Sequence, residues 1–484
     1  MTLLTPVAGP ESASRTKASP AGVLVIVCAG VVLASLDLFA VNVALPQIAR
    51  DLDVRDLGEL SWVLNGYAIV YASLLVFFGR LADRYRRDRA FLLGVAVFTA
   101  ASVACAASAS VGMLIGFRVV QAAGAALLTP ASLGLVLASY EDPVRRTGAV
   151  RAWTAVGGLS AAIGPVVGGL LVAASWRWVF LINLPVGVAA LVVGGRRLPE
   201  VPGHSTGKAH PLGVVLVTAG VGLLTFGLVK GADWGWASAR ADGVLATAVV
   251  LLAVFVLHCA HSRAPLVNPG LFRSRPFTGA SLVALFFSSS FGAMLLSIVL
   301  LEQGEWGWSA LRAGLAIAPG PLMVPVMSFL VAGRLVGRYG SAVVISLGSV
   351  LFAGGLAWWA LAVTVSHDYI SGVLGGMILT GVGVGLTLPT VMATAAASLP
   401  PQAFATGSAV INMIRQTALA LGVAVLIAVL GTGAARRSAQ LTSFQHAWWV
   451  SAAISLAGIV PAVALLRRTR PVPSAVPAVA LDEM

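Results

Sequence analysis

Long apolar stretches fill most of the chain, and short polar segments separate them. A helix needs about 20 apolar residues to cross a bilayer, and fourteen stretches meet that length. Their approximate bounds are 21–46, 60–79, 90–109, 112–138, 148–173, 177–195, 212–230, 243–260, 277–302, 311–333, 342–365, 370–396, 405–431 and 446–466. The pattern predicts an all-α integral membrane protein with fourteen transmembrane helices.

Composition also indicates a membrane protein. Of the 484 residues, 58% are hydrophobic and 10% are charged, whereas soluble domains carry about 25% charged residues. The formal net charge of +13 would suggest nucleic-acid binding in a soluble protein, but here it predicts topology. If the N-terminus is cytoplasmic, inner segments hold 21 of the 31 Lys and Arg residues, and outer loops hold 8. This bias predicts a multi-pass protein of the cytoplasmic membrane, with both termini inside and lipid rather than nucleic acid around it.

The sequence lacks the motifs of a nucleotide or metal site. The nearest approach to a phosphate-binding loop is GHSTGKA at 203–209. It has three residues between its glycines instead of four, and Ala209 stands where a hydroxyl is needed. The cysteines, Cys28, Cys105 and Cys259, lie in apolar stretches without metal-ligand spacing. We therefore expect no cofactor, no metal and no enzymatic activity.

Two short segments recur in the second part of the chain. GRLADRY at 79–85 returns as GRLVGRY at 333–339, and GAALLTP at 124–130 is similar to GVGLTLP at 383–389. Both pairs are shifted by eight predicted spans, whereas two plain six-helix halves would give six. Two spans are therefore predicted to be inserted between the halves. Such repeats are typical of secondary transporters, although chance similarity between apolar sequences is the alternative.

Acidic residues inside apolar stretches are costly and are functional hypotheses by default. Of the 18 Asp and Glu residues, Asp37 alone lies clearly inside a predicted span, and Glu302 lies at the outer end of the ninth. A carboxylate that can be protonated or free suits proton coupling. The alternative is that Asp37 bonds to a neighbouring helix or an arginine and only holds the bundle together. Glu302 is a second proton-linked or cation-attracting group, or a hydrated residue at the span end.

Basic and amide residues also occur inside two predicted spans. Arg118 and Gln121 are three residues apart in the fourth span, so they share a helix face. Arginine keeps its proton and therefore tunes a carboxylate or binds an anion. Arg415 and Gln416 in the thirteenth span can likewise tune a carboxylate or bind an anion. An equal alternative is that they only hold two helices together, as a lock between helices.

Two further segments have compositions that suggest conformational change, one as a gate and one as a hinge or seal. In GRLADRYRRDR at 79–89, Gly79 permits a close helix approach and Asp83 can cap a helix or pair with an arginine of the other bundle. We expect the arginines of this loop to be solvated. In IGPVVGG at 163–169, Pro165 lies among glycines in the fifth span. This segment predicts a bent, closely packed hinge or seal, or else a tolerated kink.

Several segments together resemble the fourteen-span drug:proton antiporter branch of the major facilitator superfamily, over about residues 20 to 466. They are LDLFAVNVALP (36–46), GRLADRYRRDR (79–89), RVVQAAGAA (118–126), GPVVGG (164–169), SWRWVFLINLPVG (175–187) and SAVINMIRQTALALGVAV (408–425). The loop segment alone indicates only the superfamily, whereas GPVVGG and the span count point to export. The resemblance implies a major facilitator fold of two six-helix bundles plus two inserted helices.

The resemblance also implies domains and residue roles. The domains are a cytoplasmic tail (1–20), an N-terminal bundle (21–195), the inserted spans (196–275), a C-terminal bundle (276–466) and a second tail (467–484). The implied roles are proton coupling for Asp37 and Arg118, with Glu302 as a further candidate; gating for Gly79, Asp83 and Arg84; the antiporter seal for Gly164, Pro165, Gly168 and Gly169; and the substrate cavity for Asn42, Gln121, Asn412, Arg415 and Gln416. Two departures stand out. Gly337 replaces the acid in the second loop copy, which points to asymmetric gating, and Glu302 stands where an apolar residue is usual.

The function expected from these features is proton-driven export of small amphipathic drugs or antibiotics by alternating access, by a protein that works as a monomer. One alternative is a dedicated exporter of a single metabolite. A proton symporter is less expected, because GPVVGG indicates export. A non-transporting sensor would usually carry a soluble output domain, and no stretch of the chain is long enough for one.

Overall fold

The computed structural model describes residues 18–54, 57–203, 211–236, 238–262, 265–364, 368–430 and 437–466, and these residues form α-helices and no strand. The helices are α1 Pro20–Asp51, α2 Leu57–Arg84, α3 Arg87–Ala106, α4 Val111–Ser139, α5 Pro143–Ala174, α6 Arg177–Leu181, α7 Asn183–Arg197, α8 Pro211–Trp234, α9 Ala239–His261, α10 Arg275–Val299, α11 Ala310–Ile317, α12 Pro319–Val326, α13 Gly333–Tyr339, α14 Ser341–Ala362, α15 Gly375–Ala397, α16 Phe404–Leu430, α17 Arg437–Ala457 and α18 Ile459–Leu466. Short 3₁₀ segments cover Pro269–Arg273 and Pro401–Ala403, and π-helical segments cover Leu300–Glu305, Met327–Ala332 and Ile370–Leu374. The predicted tails lie almost wholly outside the described residues.

Thirteen helical segments among the described residues are long and apolar enough to cross a membrane. They correspond to thirteen of the fourteen predicted spans, so the prediction of an all-helical, multi-pass membrane protein is confirmed. The remaining span, 148–173, lies within the 32-residue helix α5 but is not among the thirteen. The count of fourteen therefore stays a prediction.

Three predicted spans are broken into shorter helices. The fourteenth consists of α17 and α18, which are separated at Gly458. The sixth consists of α6 and α7, which meet at Ile182. The tenth consists of α11, α12, a π-helical segment and α13. Proline lacks the backbone N–H that continues a helix, and α12 begins at Pro319 and contains Pro325. The hydropathy of the tenth span predicted a crossing but could not show these breaks.

Helices α1–α7 (20–197) form what we call the N-terminal half, and α10–α18 (275–466) form the C-terminal half. In the N-terminal half, α3 and α2 pack on α4, and α1 packs on α5; in the C-terminal half, α14 packs on α15 and α10 on α16. A Cβ at Gly124 would lie 3.0 Å from the Gly94 carbonyl oxygen, and one at Gly383 would lie 2.6 Å from that of Gly348. Gly124 and Gly383, which begin the two repeat copies, therefore have the same role of close helix crossing.

The two halves meet through α2, α4 and α5. Helices α2 and α4 pack on α16, whereas α5 packs on α11, α12 and α15. Helices α8 and α9 pair with each other, and α8 also contacts both α2 and α16. The predicted inserted spans thus lie beside the α2/α16 seam. The domain boundaries themselves stay a prediction.

Candidate functional site

Asp37 lies inside the N-terminal half. Its side chain, in α1, is fully buried and forms an ion pair with Nη1 of Arg118 from α4, whose side chain is also fully buried. The Arg118 Nε donates a hydrogen bond to the Val63 carbonyl oxygen of α2 at 3.1 Å. The ion pair therefore connects three helices of one half, far from lipid and from water.

Amide side chains complete the shell of the Asp37 carboxylate. Gln121 of α4 donates to the Asp37 Oδ1 at 2.9 Å, and Asn183 of α7 donates to the same oxygen at 3.1 Å. Both amides also donate to the Ser102 hydroxyl of α3, at 2.8 and 3.3 Å, and Arg118 donates to the Gln121 Oε1 at 2.7 Å. Hydrogen bonds to a buried charge offset its desolvation. This arrangement gives both oxygens of the buried Asp37 side chain polar partners.

Aromatic rings enclose the guanidinium of Arg118. Its carbon lies 4.2 Å from the Tyr67 ring centroid and 5.9 Å from that of Phe180. Tyr67 in turn stacks on Tyr71 one turn along α2, with ring centroids 5.9 Å apart. A cation over an aromatic face is stabilised by the ring quadrupole. Without the Asp37 counter-charge, Arg118 would keep these rings, the Val63 carbonyl oxygen and the Gln121 Oε1 as its partners.

Gln121 belongs to the Asp37 network. Its side chain is fully buried there, because its face of α4 points into the N-terminal half with Arg118. Its assignment to the substrate cavity stays a prediction. Asn183 and Ser102 were missed as network members. An amide inside the predicted span 177–195 was a usable signal for Asn183. A single serine in an apolar stretch gave none for Ser102.

Asp83 lies at the seam between α2 and α16, at the predicted cytoplasmic side. Its fully buried carboxylate accepts hydrogen bonds from the backbone N–H groups of Ala405 and Thr406, at 3.0 and 2.6 Å. These groups begin α16, so Asp83 caps that helix from the other half and meets its positive dipole end. A Cβ at Gly79 would lie 2.9 Å from the Ala405 carbonyl oxygen. Gly79 therefore lets the two helices touch.

Arg87 is the arginine that pairs with Asp83. Its Nη2 lies 2.7 Å from the Asp83 Oδ1, and the same nitrogen donates to the Pro401 carbonyl oxygen at 2.7 Å. Arg87 belongs to the same half as Asp83 and is buried. The alternative of an ion pair with the other bundle and the expectation of a solvated side chain are therefore wrong for this pair. Arg84 lies over the Tyr85 ring at 5.4 Å, and its gating role stays a prediction.

The glycines of 163–169 are packing points of α5. A Cβ at Gly168 would lie 2.9 Å from the Ala40 Cα of α1, and one at Gly169 would lie 3.1 Å from Cδ1 of Leu311 in α11. Gly164 is buried, α5 continues through this segment, and the Pro165 side chain is outside the described residues. The segment thus joins α5 to its own half and to the other half. Its role as a seal stays a prediction.

The remaining predicted cavity residues lie on α16 and α1. Asn412 is buried, and its Oδ1 accepts a hydrogen bond from the Arg415 Nη1 at 3.1 Å. Arg415 and Gln416 are partly buried. The side chain of Asn42 lies outside the described residues. The structure therefore brings Asn412 and Arg415 together, away from the Asp37 network.

Glu302 lies in the π-helical segment after α10, in the C-terminal half. Its side chain is fully buried, and neither carboxylate oxygen has a hydrogen-bond partner among the described residues. The Glu302 charge and, above all, burial raise the pKa of Tyr369 to about 12. Trp308 stacks near Tyr369, with ring centroids 6.1 Å apart. Because Glu302 is buried, the alternative of a hydrated residue at the span end is wrong.

Comparison with known proteins decides the family. The model of the Major Facilitator Superfamily matches residues 27–423. The chain belongs to this superfamily. The human organic anion transporter MFSD10 (TETRAN) has the same fold, with a TM-score of 0.67 at 14% identity, and the match covers 92% of this chain and 100% of that one. The resemblance to the superfamily and the major facilitator fold are confirmed, and the fourteen-span branch stays a prediction.

Three relatives are named for export or resistance. The cephamycin export protein CmcT of Amycolatopsis lactamdurans is 33% identical over 97% of this chain and 98% of its own length. The tetracenomycin C resistance and export protein of Streptomyces glaucescens is 33% identical over 88% and 78%. The methylenomycin A resistance protein of Bacillus subtilis (strain 168) is 32% identical over 86% and 88%. Family and relatives indicate a membrane transporter with small-molecule substrates.

The described residues contain no cluster of three or more His, Cys, Asp or Glu side chains that could hold a metal ion. The arrangement offers instead a buried acid with a fixed cation, a capped seam between halves and a second buried acid. These are the parts from which a proton-driven conformational cycle can be built.

Proposed function

We propose that this protein exports small amphipathic compounds, antibiotics among them, in exchange for protons. It works by alternating access in the cytoplasmic membrane, with both termini in the cytoplasm. Support comes from the relatives named for antibiotic export and resistance and from the basic residues of the inner loops. The observation that carries the proton coupling is the fully buried Asp37–Arg118 pair inside one half.

The pair suits coupling because its two protonation states favour different packing. Ionised Asp37 draws α1, α4 and α7 together through Arg118, Gln121 and Asn183. A proton on the carboxylate removes the attraction and leaves a buried cation, which is costly. Since Asp37 is fully buried, a proton reaches it only when these helices move. Proton uptake and a change of conformation are therefore linked.

Glu302 is the second proton-linked group in this proposal. A fully buried carboxylate without a hydrogen bond is costly in its ionised form, so a proton or a cationic group has to accompany it. The described residues form no ion pair with Glu302. The cation-attracting role predicted as an alternative would need a positively charged substrate group at this place.

The finer architecture belongs to the same proposal. Helix α5, with 32 residues, is long enough to span the membrane and brings the count to fourteen. Helices α8 and α9 are then the inserted pair between residues 196 and 275. One chain contains both halves and both candidate proton sites, so a monomer suffices. The relatives named for one antibiotic keep the dedicated exporter open as an alternative.

The test is efflux of a dye and antibiotic panel in everted membrane vesicles, driven by an imposed pH gradient. Asp37→Asn keeps the shape and loses the titration, so we expect uptake by vesicles of wild type and none above background for the variant. Asp242→Asn makes the same change at an exposed carboxylate of α9 and should pump normally. If Asp37→Asn also pumps normally, the proton role of Asp37 is wrong.

The panel also separates the alternatives. Pumping of one compound alone would favour a dedicated exporter, and accumulation in right-side-out vesicles under an inward proton gradient would favour a symporter. If wild type moves no compound and dissipates no gradient, the transporter proposal fails.

A further inference from the structure

Arg415 lies near the middle of α16 (Phe404–Leu430), at the seam between the halves. Its guanidinium is partly buried, and the one hydrogen bond that it makes to the described residues goes to Asn412, three residues back on the same helix. Its Nε is buried and has no hydrogen-bond partner among the described residues. An arginine that locked two helices together would form hydrogen bonds across the seam. Among the described residues, Arg415 instead bonds within its own helix, and its Nε donor has no partner.

The charge of Arg415 has no counter-charge in the described protein. None of the ion pairs found there includes it. Three buried acids are described in the other half, and each has an arginine partner: Asp37 with Arg118, Asp83 with Arg87 and Asp88 with Arg86. An arginine in the middle of a membrane protein is costly and marks a ligand or ion path by default. The guanidinium fork matches a carboxylate geometrically.

Tyr71 of α2, in the other half, lies near enough to Arg415 to interact with its charge. The Tyr71 hydroxyl is fixed by a 3.1 Å hydrogen bond to the Thr129 Oγ1. Tyr71 stacks on Tyr67, whose ring lies 4.2 Å from the guanidinium carbon of Arg118. Tyr71 thus lies between the region of Arg415 and the surroundings of Asp37.

We propose that Arg415 binds a carboxylate or similar anionic group of the exported compound while the aryl part lies against Tyr71. This inference rests on the proposed function and names its substrate class, amphipathic aryl anions. The seam position means that such a ligand contacts both halves, α16 through its charge and α2 through its ring. A fixed cation opposite a ring also selects against cationic compounds of the same shape.

The test uses a matched pair of fluorescent probes, diethylaminocoumarin carboxylate and the corresponding neutral carboxamide. Binding to the full-length protein in lipid nanodiscs is measured by fluorescence polarisation. Wild type should prefer the carboxylate. Arg415→Gln should weaken carboxylate binding by ~10- to 100-fold, the range for a charge-assisted hydrogen bond, and leave the carboxamide nearly unchanged. Arg415→Lys keeps the charge and should retain part of the preference.

Arg312→Gln is the control, because Arg312 lies over the Trp308 ring at 4.0 Å and away from the α2/α16 seam. It should leave both affinities at the wild-type values. The inference would be overturned if wild type bound both probes equally, or if Arg415→Gln lost affinity for both probes to the same extent. Arg415→Lys is the folding control: if it binds the carboxamide normally, position 415 tolerates substitution and the affinities of the variants can be compared directly. The binding assay needs no pH gradient, so it is independent of the efflux assay. Preference for the carboxylate without pH-driven efflux would contradict the proposed function but would still support a carboxylate site at Arg415.

Discussion

Asp83→Asn tests whether the seam between α2 and α16 is held by charge. The carboxylate accepts two backbone hydrogen bonds from the start of α16, at 3.0 and 2.6 Å. Only bonds that cross between the halves favour the closed seam, because Arg87 stays with Asp83 when the halves separate. Asparagine keeps one neutral acceptor oxygen and loses the charge. We therefore expect the variant to shift the conformational equilibrium toward an open seam.

The size of the shift follows from these two bonds. A hydrogen bond to a charged group contributes about 1.5–3 kcal/mol, and a neutral one about 0.5–1.5 kcal/mol. At the low end of these ranges, replacing two charged bonds by one neutral bond and losing the helix-dipole interaction weakens the closed state by about 2–3 kcal/mol. That difference corresponds to a ~30- to 150-fold higher ratio of open to closed seam.

Thiol labelling measures this ratio. Thr406→Cys places a near-isosteric thiol at a fully buried position of the seam, in a background without Cys28, Cys105 and Cys259. Everted vesicles present the cytoplasmic face to a membrane-impermeant maleimide. When opening and closing are fast, the labelling rate follows the open population and should rise by ~30- to 150-fold in Asp83→Asn.

The control is Asp88→Asn, made four residues beyond Arg84 in the same loop. Asp88 bonds to Arg86 at 2.7 Å and to the Val201 backbone at 3.3 Å, and neither lies on α16. Its loss should leave the labelling rate near that of the parent protein. Unchanged labelling in Asp83→Asn would refute the assignment of the seam to this carboxylate.

Three further changes test other parts of the structure. Gly168→Val puts a branched side chain against the Ala40 backbone, where a Cβ alone would lie 2.9 Å from its Cα; we expect a clearly lower Tm by differential scanning fluorimetry, and an unchanged Tm would contradict the close packing. Asn183→Leu removes the donor to Asp37 and should slow pH-driven efflux by about tenfold, whereas substrate binding should persist. Glu302→Gln should lower the number of protons exchanged per substrate in proteoliposomes, and an unchanged ratio would remove Glu302 from the coupling.

The membrane spans and the main candidate residues could be predicted from the sequence, because both depend on local composition. A membrane span needs only length and apolarity, and the charge of Asp37 or Arg118 is conspicuous inside such a span. The hydrogen-bond partners of these residues could not be predicted in the same way. Asn183 lies 146 residues from Asp37 along the chain, and nothing local marks the side chain that meets a buried carboxylate. The network members Gln121 and Asn183 follow from the packing of α4 and α7.

Arg87 shows the same limit at a loop. Five arginines at 80–89 suggest a solvated, positive-inside segment, yet Arg87 is 1% exposed. It is buried because α16 begins directly opposite, and its guanidinium joins Asp83 to the Pro401 carbonyl oxygen. Loop polarity alone cannot distinguish an arginine that faces water from one that faces another helix.

The two copies of the loop segment close their seams by different chemistry. In the first copy, Asp83 meets the N-terminus of α16. In the second, Gly337 stands in place of an acid, and no heavy atom of the described residues would lie within 4 Å of a Cβ there. Its neighbour Gly333 faces the Arg151 guanidinium of α5, with 3.2 Å between Nη1 and a Cβ position. The first copy thus places a buried acid at the start of α16, whereas the second copy has no acid at the matching position. A change of charge at Asp83 would act on α2, the helix that also carries Tyr67 and Val63 of the Asp37 site.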